Sequence, residues 1–168
     1  MKRREKGFTV LEALIGVAIM AIVVVAVAMT TTTLLLNEGQ AAGQNTALPQ
    51  VQNAGYWISL DVQMARNVTP SAPNGFPLSL DIPVDADENN DYTIDYLFDG
   101  DKLKRQVYDS SHTLTSETFI AEYIDTSNTT FSALDADAGL YKLTVRASRD
   151  ETGATRSYEI SQRLSSSS

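Results

Sequence analysis

Between Ala13 and Leu36 the chain runs for 24 residues without a charged side chain. About 20 apolar residues at 1.5 Å rise span the hydrocarbon core of a bilayer, so the stretch reads as a single membrane-crossing helix. A helix of a soluble core is rarely apolar on every side. Lys2, Arg3, Arg4 and Lys6 stand just before it. Positive charge stays on the cytoplasmic side, which predicts one span of the cytoplasmic (inner) membrane, with the N-terminus inside and everything after Leu36 outside.

An ordinary secretory signal has a shorter apolar region followed by a small-residue cleavage site, and no such site stands after Ala28. Here the small residue, Gly7, comes first, in the order Gly7-Phe8-Thr9-Val10-Leu11-Glu12. This junction, with its basic leader and long apolar run, resembles the class III signal of type IV pilins and of type II secretion pseudopilins over Lys2 to Leu36. The resemblance implies that a prepilin peptidase cuts between Gly7 and Phe8 and methylates the new amine of Phe8. It makes Glu12 the charged fifth residue of the mature chain. The partners it implies are the prepilin peptidase, other pilin or pseudopilin subunits, a membrane assembly platform and the lipid bilayer, with a pilus or pseudopilus as the destination.

Glu12 can also be read without the family. A carboxylate near the start of a membrane helix costs a few kcal/mol unless it finds a partner or reaches the headgroups. One reading leaves it at the interface, favoured by the positive end of the helix dipole. The other has it accept the cationic Phe8 amine of a neighbouring subunit and so set axial register.

Lys2, Arg3, Arg4 and Lys6 against Glu5 give the first seven residues a net charge of +3, so the −8 of the whole sequence becomes −11 once they are removed. An exported region this acidic lacks the clustered cations that phosphate neutralisation requires, which argues against direct nucleic-acid binding. The chain has no cysteine, which excludes disulfides, thiol catalysis and cysteine-based metal sites. No nucleophile, base and orienting group stand at a telling spacing, and the single histidine, His112, falls in a Ser/Thr-rich loop. The sequence does not read as an enzyme.

Small residues such as Gly16 within Ala13–Val25 permit close helix approach, or simply face lipid. Thr30 to Thr33 can bond back to preceding carbonyls, which suits a helix in lipid but softens it elsewhere. Asn37, Glu38, Gly39 and Gly43 lower helix propensity, and Pro49 predicts either a kink or a new start. Helices of the resembling family often bend or melt here. Beyond Pro49, Val51, Ala54 or Gly55, Ile58, Val62, Ala65 and Val68 recur at helical spacing, with Asp61 and Arg66 assigned to the other sides. That stripe should pack on a sheet, with Trp57 anchoring the helix–sheet core. Asn67 to Pro77 ends the helix.

From Leu78 the period falls to two. Tyr92, Ile94, Tyr96 and Phe98 alternate with Thr93, Asp95 and Leu97, Asp99-Gly100-Asp101 turns, and Leu103, Arg105 and Val107 alternate back. A second hairpin has Tyr141, Leu143, Val145 and Ala147 on one face, a turn at Asp150–Ala154, and Tyr158, Ile160 and Leu164 returning. Shorter strands cover Leu78–Ile82, Thr118–Tyr123 and Thr130–Leu134. The expected fold is α+β, a long N-terminal helix packed on an antiparallel sheet. Its parts are a leader 1–7, a membrane and assembly helix 8–36, an amphipathic continuation 37–68 and an exported β-rich domain 69–168. The hairpin Tyr92–Tyr108, with Asp61 and Ala65-Arg66 before it, is similar to larger minor pilins and J-type minor pseudopilins. That resemblance implies a minor subunit that caps or primes assembly rather than a major one.

Asp85, Asp87, Asn89 and Asp91 place oxygen ligands at alternating positions, as the start of a calcium loop does. Asn90 and Tyr96 stand where that loop wants Gly and Glu, so a solvated acidic turn competes with the calcium reading, and no other cofactor is expected. Glycosylation sequons at Asn67 and Asn128 occur at chance level. Two functions therefore compete: an assembly subunit of a type IV pilus or a secretion or competence pseudopilus, and a membrane-anchored extracellular binding module, adhesive or calcium-dependent.

Overall fold

The computed structural model describes residues 10–84, 91–149 and 152–163, with side chains left out at 35–44. The chain divides into two units, 1–41 and 42–168. Helix α1 spans Val10–Met64 and β-strands supply the remaining elements, an α+β arrangement. Pro49 lies inside α1 and starts no new helix. In the first unit the side chains of Val10–Leu34 are all exposed, and this segment is long and apolar enough to cross a membrane. Each hydroxyl of Thr30 to Thr33 donates to the carbonyl four residues back, from Ala26 to Met29, at 2.9 Å. The run thus satisfies its own polar groups, as an apolar surrounding demands.

Among the described residues of the second unit, eight antiparallel strands form two sheets instead of the one expected. The first contains β1 (Asn67–Pro70), β2 (Leu78–Ile82), β3 (Tyr92–Asp99), β4 (Lys102–Tyr108) and β5 (Leu114–Ala121), paired in that order. The second contains β6 (Thr130–Asp135), β7 (Leu140–Arg149) and β8 (Thr152–Ser161). Both anticipated hairpins form: Asp99 pairs with Lys102 and Arg149 with Thr152. Residues 152–154, assigned to the second turn by the sequence, belong to β8. Strand β5 begins four residues before the anticipated Thr118.

Alternation is visible in the burial. Ile94 and Tyr96 on β3, and Tyr141, Leu143, Val145 and Ala147 on β7, all point into the core. From the helix, Val51, Ala54, Ile58, Val62 and Ala65 meet them, with Trp57 half-buried beside them. The helix stops at Met64, short of Val68, because Asn67–Pro70 pairs with Leu78–Asp81 as β1. Asn67 to Asp81 therefore folds back as an antiparallel pair whose loop reaches the second sheet. There Gly75 adopts φ +89°, and a Cβ on it would stand 2.0 Å from the Phe131 carbonyl oxygen. Only glycine admits that approach.

Candidate assembly interface

Glu12 sits exposed in the first turn of α1. It lines a shallow groove of about 600 Å³ with Ala13, Gly16, Ile19 and Met20, and a Cβ built on Gly16 would meet nothing within 4 Å. Gly7 and Phe8 lie outside the described residues. Glu12 and the small residues after it thus share one accessible stretch of apolar helix.

Outside this segment, one buried carboxylate is placed differently from the reading of the periodicity. Asp61 does not face away from the sheet; it is 1% exposed and lies inside the apolar stripe. Its Oδ2 accepts from the Tyr96 hydroxyl at 2.5 Å and from Arg105 Nε at 2.7 Å, and Arg105 in turn lies 5.3 Å from the Trp57 ring centre. Burial, reinforced by the Asp61 charge, pushes the Tyr96 hydroxyl far above its ordinary range. Burial alone would lower Arg105, but its hydrogen bond and ion pair with Asp61 hold it above its usual value. The tyrosine thus stays neutral and donates while the guanidinium carries the charge. The arrangement ties α1 to β3 and β4, and it is built to hold rather than to exchange protons. A spacing of three from Ile58 and four to Ala65 is the sequence signal that puts Asp61 on the stripe.

Further bonds tie the helix to the rest of the second unit. Asn53 Nδ2 donates to the Ile120 carbonyl at 2.6 Å, and the Tyr158 hydroxyl donates to the Val51 carbonyl at 3.2 Å. Gln162 Nε2 donates to the Ala65 carbonyl at 3.2 Å, satisfying one acceptor past the helix end. The Tyr158 ring crosses α1 at Gly55, where a Cβ would stand 2.2 Å from it.

Of the proposed calcium ligands, Asp85, Asp87 and Asn89 lie outside the described residues. Asp91 pairs with Arg66 at 3.1 Å, and its Oδ1 is buried with no hydrogen bond among the described residues. No group of three metal-binding side chains occurs among the described residues. His112 occupies an exposed turn at φ 59°. Asn67 and Asn128 are exposed and hydrogen-bonded to Asp81 and Asp125.

Residues 2–28 match the prokaryotic N-terminal methylation motif. No curated protein and no solved structure matches the chain. The motif supports a pilin-like or pseudopilin role, a structural one rather than an enzymatic one, with processing by a prepilin peptidase and assembly with other pilins.

Proposed function

We propose that this chain is an assembly subunit of a type IV pilus or of a secretion or competence pseudopilus, and a minor one that caps or primes the filament. The observation that carries the reading is the methylation motif over residues 2–28, running into an exposed apolar helix. On this reading the peptidase cuts after Gly7 and methylates Phe8. The subunit waits in the inner membrane with its N-terminus inside. Glu12 then accepts the Phe8 amine of a neighbour as α1 leaves lipid. Transfer of that helix from lipid to a bundle of similar helices loses no apolar burial, and pairing the carboxylate removes its cost. The Tyr92–Tyr108 hairpin supports the minor assignment. Intact mass and N-terminal sequencing of the membrane-extracted protein test the whole: a chain beginning at methylated Phe8 is expected, and an uncut Met1 chain would demote it to a signal-anchored ectodomain. Normal filament incorporation of Glu12→Ala would remove the register role.

The second reading, a membrane-anchored binding module, adhesive or calcium-dependent, draws on the buried Oδ1 of Asp91, which has no hydrogen bond among the described residues, at the end of the acidic segment. Because Arg66 already pairs with Asp91, an ion there has to share or displace the guanidinium. Calorimetric titration of the full chain with calcium decides it, and absence of heat sinks it.

A further inference from the structure

Strand β5 ends the first sheet, and among the described residues no strand pairs with it on the side away from β4. Every residue from Ser111 to Phe119 is exposed, so over 114–119 both faces of the strand are open as well as its edge. Alternate amides and carbonyls on such an edge point outward with no ladder to receive them, which makes it a template for another strand. The open stretch has a definite end. Asn53 Nδ2 donates to the Ile120 carbonyl at 2.6 Å and the Glu122 amide donates to Gln50 Oε1 at 2.8 Å, so from Ile120 onward side chains of α1 close the edge.

The other sheet edges are guarded. β1 is four residues long and ends in Pro70. β6 is irregular between Ala133 and Asp135 and ends in that charge. β8 exposes Arg156 and Glu159, and its Tyr158 bonds α1. Short strands, proline, bulges and charges are the devices that keep edges from pairing. β5 contains no proline and no lysine, and its one charge, Glu117, is turned back onto β4 by Gln106 at 2.6 Å and Lys104 at 3.4 Å. Its ladder with β4 is irregular beside Leu103 and beside Tyr108, which leaves Ser116–Phe119 in unbroken register with Lys104–Val107.

We propose that β5 pairs antiparallel with the β5 of a second copy of this chain, joining two five-stranded sheets into one. The register follows from symmetry. A strand that meets its own copy antiparallel about a two-fold axis places one residue opposite itself. Ser116 at that position pushes the contact into the irregularity beside Tyr108, and Glu117 there sets two carboxylates face to face, which destabilises a sheet. Thr118 does neither. It meets the partner's Thr118, and Glu117 comes opposite the partner's Phe119, over whose ring Lys102 and Lys104 hold their ammonium groups at 5.3 and 5.0 Å. A carboxylate thus arrives where the other copy concentrates positive charge, and this self-complementarity is what selects a second copy as the occupant. With both apolar segments Val10–Leu34 seated in one membrane, the effective concentration is high and a short ladder suffices. The contact does not depend on the assembly reading, in which neighbours meet at Glu12.

The chain has no cysteine, so single cysteines report contacts without background. Residues opposite each other in an antiparallel pair have Cβ atoms about 5 Å apart, close to the reach of a disulfide. Thr118 and Ser132 are both exposed, so a cysteine at either leaves the fold intact. Full-length Thr118→Cys, oxidised in the membrane, should run as a disulfide-linked dimer while Ser132→Cys on the guarded edge of β6 stays monomeric; no dimer, or equal dimer from both, overturns the proposal. Glu117→Cys and Phe119→Cys on differently tagged copies should join to each other more than either joins to itself, and equal joining overturns it as well. A disulfide from Thr118→Cys to a different protein in place of the dimer also overturns it. Neighbours held only at Glu12 would leave Thr118→Cys unjoined, so failure here leaves the assembly reading standing.

Discussion

The two stretches of α1 are stabilised by opposite means. From Val10 to Leu34 no side chain is buried, whereas from Ala47 to Val62 every third or fourth residue is. The first stretch takes its environment from outside the chain, lipid or other helices. The second takes it from the chain's own sheets. Helix formation is therefore not what distinguishes them; the difference is where the apolar surface goes.

The largest effect expected is on the first stretch alone. Gly7→Val should abolish leader removal, read as a mass increase over the processed chain and an N-terminus at Met1, while the thermal unfolding of the second unit stays unchanged. Any shift in that unfolding would show the two stretches to be coupled. Next, Leu80→Ala, at a fully buried side chain of the core, should destabilise the full chain in detergent by about 3 kcal/mol through lost burial and a cavity. Ile19→Ala should change the same transition by less than about 0.5 kcal/mol, as exposed positions do. Equal losses would erase the distinction.

Arg105→Met probes what the second stretch has and the first lacks, a buried charge held by the sheet. Removing one partner of a buried pair typically costs about 3–5 kcal/mol. Arg105 retains 19% side-chain exposure and Tyr96 still donates to Asp61, so about 2 kcal/mol is expected. Denaturant unfolding gives the magnitude, and the single tryptophan, Trp57, should change its emission as the guanidinium leaves its ring.

The smallest effect is one of pH. The Tyr96 hydroxyl titrates above its ordinary 10.0 in the fold, so its contribution is complete below pH 10 and is lost as pH rises beyond it. Tyr96→Phe should make the alkaline loss of stability shallower, with a remainder from Tyr92, Tyr141 and Tyr158, which burial also raises. An identical alkaline profile would mean that Tyr96 is not the neutral donor to Asp61.

Much of the local structure was legible because period and chemistry agree there. Strand β2 occupies Leu78–Ile82 as the alternation indicates, both hairpins form, and the stripe of Val51, Ala54, Ile58, Val62 and Ala65 is buried. Glu12, standing just ahead of the charge-free run, is a candidate that needs no tertiary information to stand out. Asp61 was not legible, because a charge inside an apolar stripe is read as the edge of the stripe unless Tyr96 and Arg105, far away in sequence, are known to meet it.

By itself the sequence determined an apolar helix that finds no core within the chain and an acidic β-rich domain that does, because hydropathy and strand period are local properties. The tertiary structure decided what depends on distant residues. The strands divide into two sheets, α1 stops where β1 can pair with β2, and a carboxylate is buried where two donors from neighbouring strands converge on it.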